Sequence, residues 1–208
     1  MKKNYTESLK CYNPGMDYKK ICDFIFELNN LKKFRHSGTM FAGIQQPDSI
    51  AEHAYRTAVI GYILAKAEKA NPEKTALICL MHDNAEARIT DLHKVARRYI
   101  DSKKGEKHAF KEQLQNLPKE LADVFMKGFM EYEDRTTKEG IVAKDADMLE
   151  TAFQAKEYLD LGHKACQDWI DNVEKCIKTK TAKKILQAME KKQFTDWWRG
   201  LKNIEIGY

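Results

Sequence analysis

Apolar residues recur at helical spacing through almost the whole chain, and no stretch alternates with period two for long enough to make a strand. That pattern confines the chain to helix-on-helix packing. In 17–29, Ile21, Phe24, Ile25 and Leu28 mark one face of a first helix. The following LKKFRHSGTMFAGIQQPD has no helical period and holds two Gly and a Pro, so it reads as a loop or short irregular hairpin. Ser49 and Glu52 form an S-x-x-E capping box that opens a long helix running to about Ala70. Asn71-Pro72-Glu73 supplies an N-cap, a first-turn proline and a first-turn acid for the next helix, whose apolar ALICLM runs into HDNAEARI. A short helical piece is expected over 93–100, then a polar break at DSKKGEK. Further helices are expected over 106–115, 118–133, 136–160 and 172–191, with Gly162 closing the helix that carries DADMLETAFQAKEYLDL. The expected fold class is all-α, in one domain.

Composition removes several function classes. The 208 residues suit one domain, and 43% hydrophobic content is enough for a sizeable core. No apolar run approaches the roughly 20 residues that span a bilayer, and MKKNYTESLKCYNPG lacks the apolar segment of a signal peptide, so a cytoplasmic protein without a membrane partner is expected. The net charge of +5 is spread over interspersed Lys and Glu, which reads as solvated helix faces and gives no case for a nucleic-acid partner. Cys11, Cys22, Cys79, Cys166 and Cys176 are odd in number and contain no CxxC pair, which excludes a disulfide framework or a thiolate zinc site.

The chemistry sits in short polar segments placed in apolar surroundings. His82-Asp83 lies near the end of the most apolar helix, where an imidazole and a carboxylate are costly to bury without a partner. A metal ion is such a partner, and His53 in SIAEHAYR and Asp147 in KDADMLETAFQA are candidates to join it. Asp145 competes with Asp147 in the same segment. Two imidazoles and two carboxylates make a mixed N/O site for a divalent transition metal, a combination suited to Lewis-acid hydrolysis. Glu86 falls one turn beyond His82-Asp83, placed to take a proton from water or to orient it. Asp91 lies just past the expected helix end. It is either a second acid or base folded back over the site or the N-cap of the helix after it.

These residues resemble the HD-domain metal-dependent phosphohydrolases, whose pattern is H…HD…D, and are most similar to the 5′-deoxynucleotidase branch. The matching segments are Ser49-Ile50-Ala51-Glu52-His53, His82-Asp83-Asn84-Ala85-Glu86 with Asp91, Glu131-Tyr132-Glu133, and Lys144-Asp145-Ala146-Asp147. The likeness covers roughly residues 17–160. It implies one HD domain over 1–208, with its core in about 17–160 and C-terminal helices over 163–200 that pack on it or form a dimer surface. It also implies one divalent metal ion (Mn, Co, Fe, Ni, Zn or Mg) on His53, His82, Asp83 and Asp147, the last preferred over Asp145. Glu86 would act on the hydrolytic water and Asp91 would assist. The implied substrate is a small phosphate ester, a deoxyribonucleoside 5′-monophosphate, and the implied assembly is a homodimer. Relatives carry Arg and then Trp in the connector. Here Thr39 stands at the Trp position, and Arg35 and His36 are the candidates for binding substrate. Hydrolysis of another phosphate ester, or metal and nucleotide binding without catalysis, are the competing readings. Glu131, Tyr132 and Glu133 are expected to be structural, His93, His108 and His163 to be ordinary histidines, and Trp169, Trp197 and Trp198 to be packing anchors or part of a dimer surface.

Overall fold

The computed structural model describes residues 16–202, so Cys11 and the N-terminal stretch lie outside the described residues. Ten α-helices follow one another among the described residues: α1 Tyr18–Leu28, α2 Ile50–Glu68, α3 Pro72–Met81, α4 Glu86–Ile89, α5 Ser102–Gln113, α6 Lys119–Asp134, α7 Lys138–Asp160, α8 Gln167–Cys176, α9 Lys180–Glu190 and α10 Asp196–Arg199. No strand forms among the described residues. The connector after α1 holds short 3-10 turns and a single bridge between Arg35 and Ser49. No helix among them is long and apolar enough to cross a membrane.

The caps define the long helices. Ser49 accepts from the Glu52 N–H while the Glu52 carboxylate accepts from the Ser49 N–H, closing the capping box at the start of α2. Asn71 caps α3 with Pro72 in its first turn, and Gly162, at φ +106°, lets the chain leave α7. The central element is α7, whose Val142, Ala143, Ala146, Leu149 and Ala152 are completely buried. Against them lie Leu64 and Ala65 of α2, Ile78 and Cys79 of α3, Ile170 and Val173 of α8, and Leu186 of α9. The small residues of α7 let its neighbours approach closely. At its N-terminal end, a Cβ on Gly140 would stand 2.1 Å from the Glu131 carbonyl oxygen, so only glycine fits there. A second apolar cluster, Phe24, Ala85, Ala109, Phe110, Leu114 and Phe129, flanks the first. The HDNA turn lies on the seam between the two.

Three expectations need correction. The apolar helix does not continue through HDNAEARI. It stops at Met81, because the His82 side chain takes the Cys79 carbonyl at 2.6 Å, the acceptor that the Asp83 N–H would need. The stretch 93–100 forms only a 3-10 turn at Ala96–Arg98, since His93 Nδ1 accepts the Ala96 N–H and Arg97 Nε donates to the Leu92 carbonyl. The helix expected over 172–191 is two, α8 and α9, broken where the buried Asp145 carboxylate accepts the backbone N–H groups of Lys178 and Thr179.

Candidate metal centre

Three helices aim four side chains at one point. His53 stands one turn into α2, His82 and Asp83 stand on the turn that ends α3, and Asp147 stands midway along α7. The carbonyls of that turn are held from outside: Gln113 donates to Asn84 O at 2.9 Å and Asn30 to Ala87 O at 3.1 Å. His53 Nε2 lies 3.3 Å from His82 Nε2, 3.3 Å from Asp147 Oδ1 and 3.7 Å from Asp83 Oδ2. His82 Nε2 lies 3.0 Å from Asp83 Oδ2 and 3.8 Å from Asp147 Oδ1. Donors about 2.1 Å from a shared ion would stand about 3.0 to 3.4 Å from one another, so these separations of 3.0 to 3.8 Å are close to the spacing of a coordination shell, with His53, His82 and Asp147 forming one group that could hold an ion and Asp83 beside them.

The second ring nitrogens settle which atoms face inward. His53 Nδ1 is 2.5 Å from Glu150 Oε2, and His82 Nδ1 is 2.6 Å from a carbonyl, so both Nδ1 atoms are N–H donors and, in the neutral imidazoles, both Nε2 atoms carry lone pairs. Two such lone pairs facing each other at 3.3 Å beside two carboxylates call for positive charge between them, which a metal ion supplies to neutral rings. The electrostatics show the same demand, since a proton on either imidazole would also meet it. Burial favours neutral imidazoles, yet Asp83 and Asp147 hold His82 up at about 9, and Glu150 and Asp147 hold His53 well above the usual imidazole range. Asp83, despite burial, is held down at about 2 by His82, and Asp147 is held low by Lys144 and the two histidines.

Around this cluster opens a cavity of about 480 Å³, into which Glu86, Asp91, His36 and Thr39 also face. Glu86 is 4% exposed, and its Oε2 has no hydrogen-bond partner among the described residues. Burial and the charges of Asp83 and Asp91 hold its carboxyl well above the usual range, while Arg97, with Nη2 3.8 Å from Oε1, pulls the other way. Asp91 caps no helix. It follows Thr90, which turns the chain at φ +63°, and its Oδ2 accepts from the Ser37 N–H at 2.6 Å and lies 3.0 Å from the Ser37 hydroxyl. His36 packs edge-on against His53, ring centres 4.7 Å apart, with Nδ1 2.9 Å from Asp48 Oδ2. Arg35 is not brought into the cavity. Its guanidinium donates to the Pro47 carbonyl and to Glu52 outside it.

Several residues to which the sequence reading gave no part in the centre stand around it. Glu150 is buried against His53 and also receives Arg56 Nε at 2.8 Å. Tyr132 donates to Asp147 Oδ2 at 2.6 Å and accepts from Lys144, whose Nζ is also 3.0 Å from Asp147. The K-x-x-D spacing on a helix was the available signal for Lys144. Trp169, expected as a packing anchor or part of a dimer surface, faces the cavity together with Asp168 and Asn172, and His93, expected to be an ordinary histidine, lines it as well.

A family model described as HD domain matches residues 28–190. The chain is 29% identical over 161 residues to the 5′-deoxynucleotidase HDDC2 of Homo sapiens, covering 76% of this chain and 78% of that one. It is 31% identical over 147 residues to the 5′-deoxynucleotidase hdd1 of Schizosaccharomyces pombe, covering 66% and 72%. Among solved structures, one described as a crystal structure of genomics APC5600 superposes with a TM-score of 0.71 at 35% identity, covering 87% of this chain and 99% of that one. With four converging donors and a family model that spans most of its length, the chain belongs to the HD domain family.

Proposed function

We propose that this protein is a metal-dependent phosphohydrolase that cleaves deoxyribonucleoside 5′-monophosphates to nucleoside and phosphate. The observation that carries the reading is the convergence of two Nε2 atoms and two carboxylates beside a buried Glu86 oxygen with no hydrogen-bond partner among the described residues. The similarity to 5′-deoxynucleotidases supports the choice of substrate.

In this reading His53, His82, Asp83 and Asp147 hold one divalent ion, which is Mn, Co, Fe, Ni, Zn or Mg. When bound, the ion supplies positive charge to a phosphate oxygen and makes water more acidic. Glu86 Oε2 takes the proton from the attacking water as its oxygen closes on phosphorus. Burial and the charges of Asp83 and Asp91 hold this carboxyl high, which makes it the stronger base once ionised, and Arg97 opposes them. The bond from phosphorus to the 5′ oxygen breaks, and that oxygen takes up a proton delivered from the Asp91 side of the cavity. His36 has Nδ1 committed to Asp48, which leaves Nε2 for a phosphate oxygen. Arg35, engaged with Pro47 and Glu52, has no part in this scheme.

The same reading makes the chain one domain acting in the cytoplasm as a homodimer. An exposed apolar stripe on the outer face of α2, Tyr55, Val59, Tyr62 and Ile63, supports the dimer. Light scattering on Ile63→Glu tests it, with a monomer expected.

The deciding experiment is phosphate release from deoxy- and ribonucleoside 5′-monophosphates by protein stripped with chelator and reloaded singly with Mn, Co, Ni, Zn or Mg. Release from deoxynucleotides is expected, and none with any metal refutes the proposal. Glu86→Ala should keep the metal and lose at least about 100-fold in turnover. If the metal is lost instead, Glu86 is a ligand.

A further inference from the structure

In the reading above, the groups at the cavity floor meet only the phosphate end of the substrate. His53 and His82 are 2% and 4% exposed, and their Nδ1 atoms and the Tyr132 hydroxyl are committed to supporting the ion site. A catalyst built from these alone would cleave any small phosphate ester, so discrimination among substrates has to come from the walls nearer solvent.

One wall is α8. This helix is two-faced: Ile170 and Val173 are buried in the main core, whereas Asp168, Trp169 and Asn172, at i, i+1 and i+4, face the cavity. Trp169 is half-buried, with its indole against the 38–39 loop. A Cβ on Gly38 would lie 3.9 Å from the Trp169 six-membered ring. Asp168 and Asn172 are exposed, and neither makes a side-chain hydrogen bond among the described residues. Phe41 and His93, packed edge-to-face at 4.8 Å, line the same cavity. An indole backed by the core, with two polar side chains beside it and an aromatic pair in the same cavity lining, is an arrangement that can hold a flat heterocycle by stacking and read its rim.

We propose that α8 is the nucleobase-reading wall of this site, with Trp169 stacking on the base and Asp168 and Asn172 binding its polar edge. The inference rests on the nucleotide reading above and adds a preference to it. A carboxylate accepts from exocyclic amino groups, and a carboxamide pairs with an amino group next to a ring nitrogen. The wall therefore favours cytosine, adenine and guanine, whose exocyclic amino groups donate to Asp168, over thymine, which offers only one N3–H flanked by two carbonyl oxygens.

Calorimetric titration and phosphate release are measured in parallel for the wild type, Trp169→Ala, Trp169→Phe and Asp168→Asn, with deoxyadenosine 5′-monophosphate, thymidine 5′-monophosphate and base-free deoxyribose 5-phosphate. The wild type should bind the adenine nucleotide about 5- to 150-fold more tightly than deoxyribose 5-phosphate. Trp169→Ala should collapse that ratio towards one and Trp169→Phe should keep most of it. Asp168→Asn should narrow the adenine-to-thymine ratio. Equal affinities for deoxyribose 5-phosphate and the nucleotides in the wild type, or a ratio that survives Trp169→Ala, overturns the wall. Should Trp169→Ala fail to fold, a Trp169→Phe ratio at or below that of Asp168→Asn also overturns it. The two readings fail separately. A base-dependent affinity without turnover sinks the hydrolase and keeps the wall, whereas turnover indifferent to the base keeps the hydrolase and sinks the wall.

Discussion

Replacing Glu150 with Gln tests whether the centre depends on the tautomer of His53. The carboxylate is buried and divides its two oxygens: Oε2 accepts from His53 Nδ1 at 2.5 Å, and Oε1 accepts from Arg56 Nε at 2.8 Å, with Arg56 Nη2 2.7 Å away. A glutamine fills the same space but offers only one acceptor. If its oxygen turns to Arg56, its NH₂ meets His53 Nδ1, which must then become the lone-pair nitrogen. The proton moves to Nε2, the atom that should face the ion. If the oxygen turns to His53, the NH₂ opposes the Arg56 donors in a buried site. Either way one charge-assisted hydrogen bond is lost, about 1.5–3 kcal/mol, which corresponds to about 10- to 150-fold in metal affinity. The expected result is that range of weakening for Mn or Co in Glu150→Gln, measured by calorimetry on chelator-stripped protein. At saturating metal, turnover should recover to a larger extent than affinity. A variant that folds and binds metal as tightly as the wild type refutes the argument, because His53 would then be oriented without Glu150.

Asp145→Ala should lower stability by about 3 kcal/mol, since the N–H groups of Lys178 and Thr179 lose their buried acceptor. Metal affinity should stay within about twofold, and a large loss of metal would make Asp145 the ligand in place of Asp147. Gly140→Ala should cost about 3 kcal/mol by driving a Cβ against the Glu131 carbonyl, read as a fall in Tm of ~6–12 °C. A Tm within 2 °C or so of the wild type would show that α6 and α7 move apart easily. Glu27 gives a pH test. Burial raises its carboxyl, but hydrogen bonds from Arg88 and Gln113 outweigh that and hold it below its ordinary value of 4.5. A depressed folded value means the contribution is full above 4.5 and is lost as pH falls through the folded value. Denaturant midpoints between pH 6 and pH 3 should therefore fall less steeply in Glu27→Gln. Superimposable acid limbs would refute the coupling.

What could be read in the chain beforehand was whatever had a locally visible cost or signature. The capping box at Ser49 and Glu52 and the Asn71-Pro72 start are complete within four residues, and both helices begin where those residues say. His82-Asp83 stood out because a charged pair ended an apolar helix, and His53, Asp83 and Asp147 do meet it within 3.8 Å. The groups that offset those costs were not readable, since each is brought in by packing. Glu150 becomes buried only when α7 lies against α2, 97 residues away in sequence, although a carboxylate within the Leu149, Ala152, Ala155 face of α7 was a signal of it. The break between α8 and α9 has the same origin, because Asp145 takes N–H groups 33 and 34 residues further on.

The site itself bends the helix that carries it, and this explains why periodicity ran straight through HDNA. An α3 continued regularly would have returned the Cys79 carbonyl to the Asp83 N–H and left His82 Nδ1 without an acceptor. By taking that carbonyl, His82 ends the helix and fixes its own tautomer in one bond, so the break and the lone pair at Nε2 are one event. A helical reading of 72–89 is thus correct for α3 and α4 and fails at the four-residue turn 82–85 that carries His82 and Asp83. In an HD domain the failure of periodicity is itself a mark of the centre. The expectation that Trp169 is a packing anchor holds, since it packs against the main core beside Ile170 and Val173, but periodicity did not show that Asp168, Trp169 and Asn172 would also line the cavity.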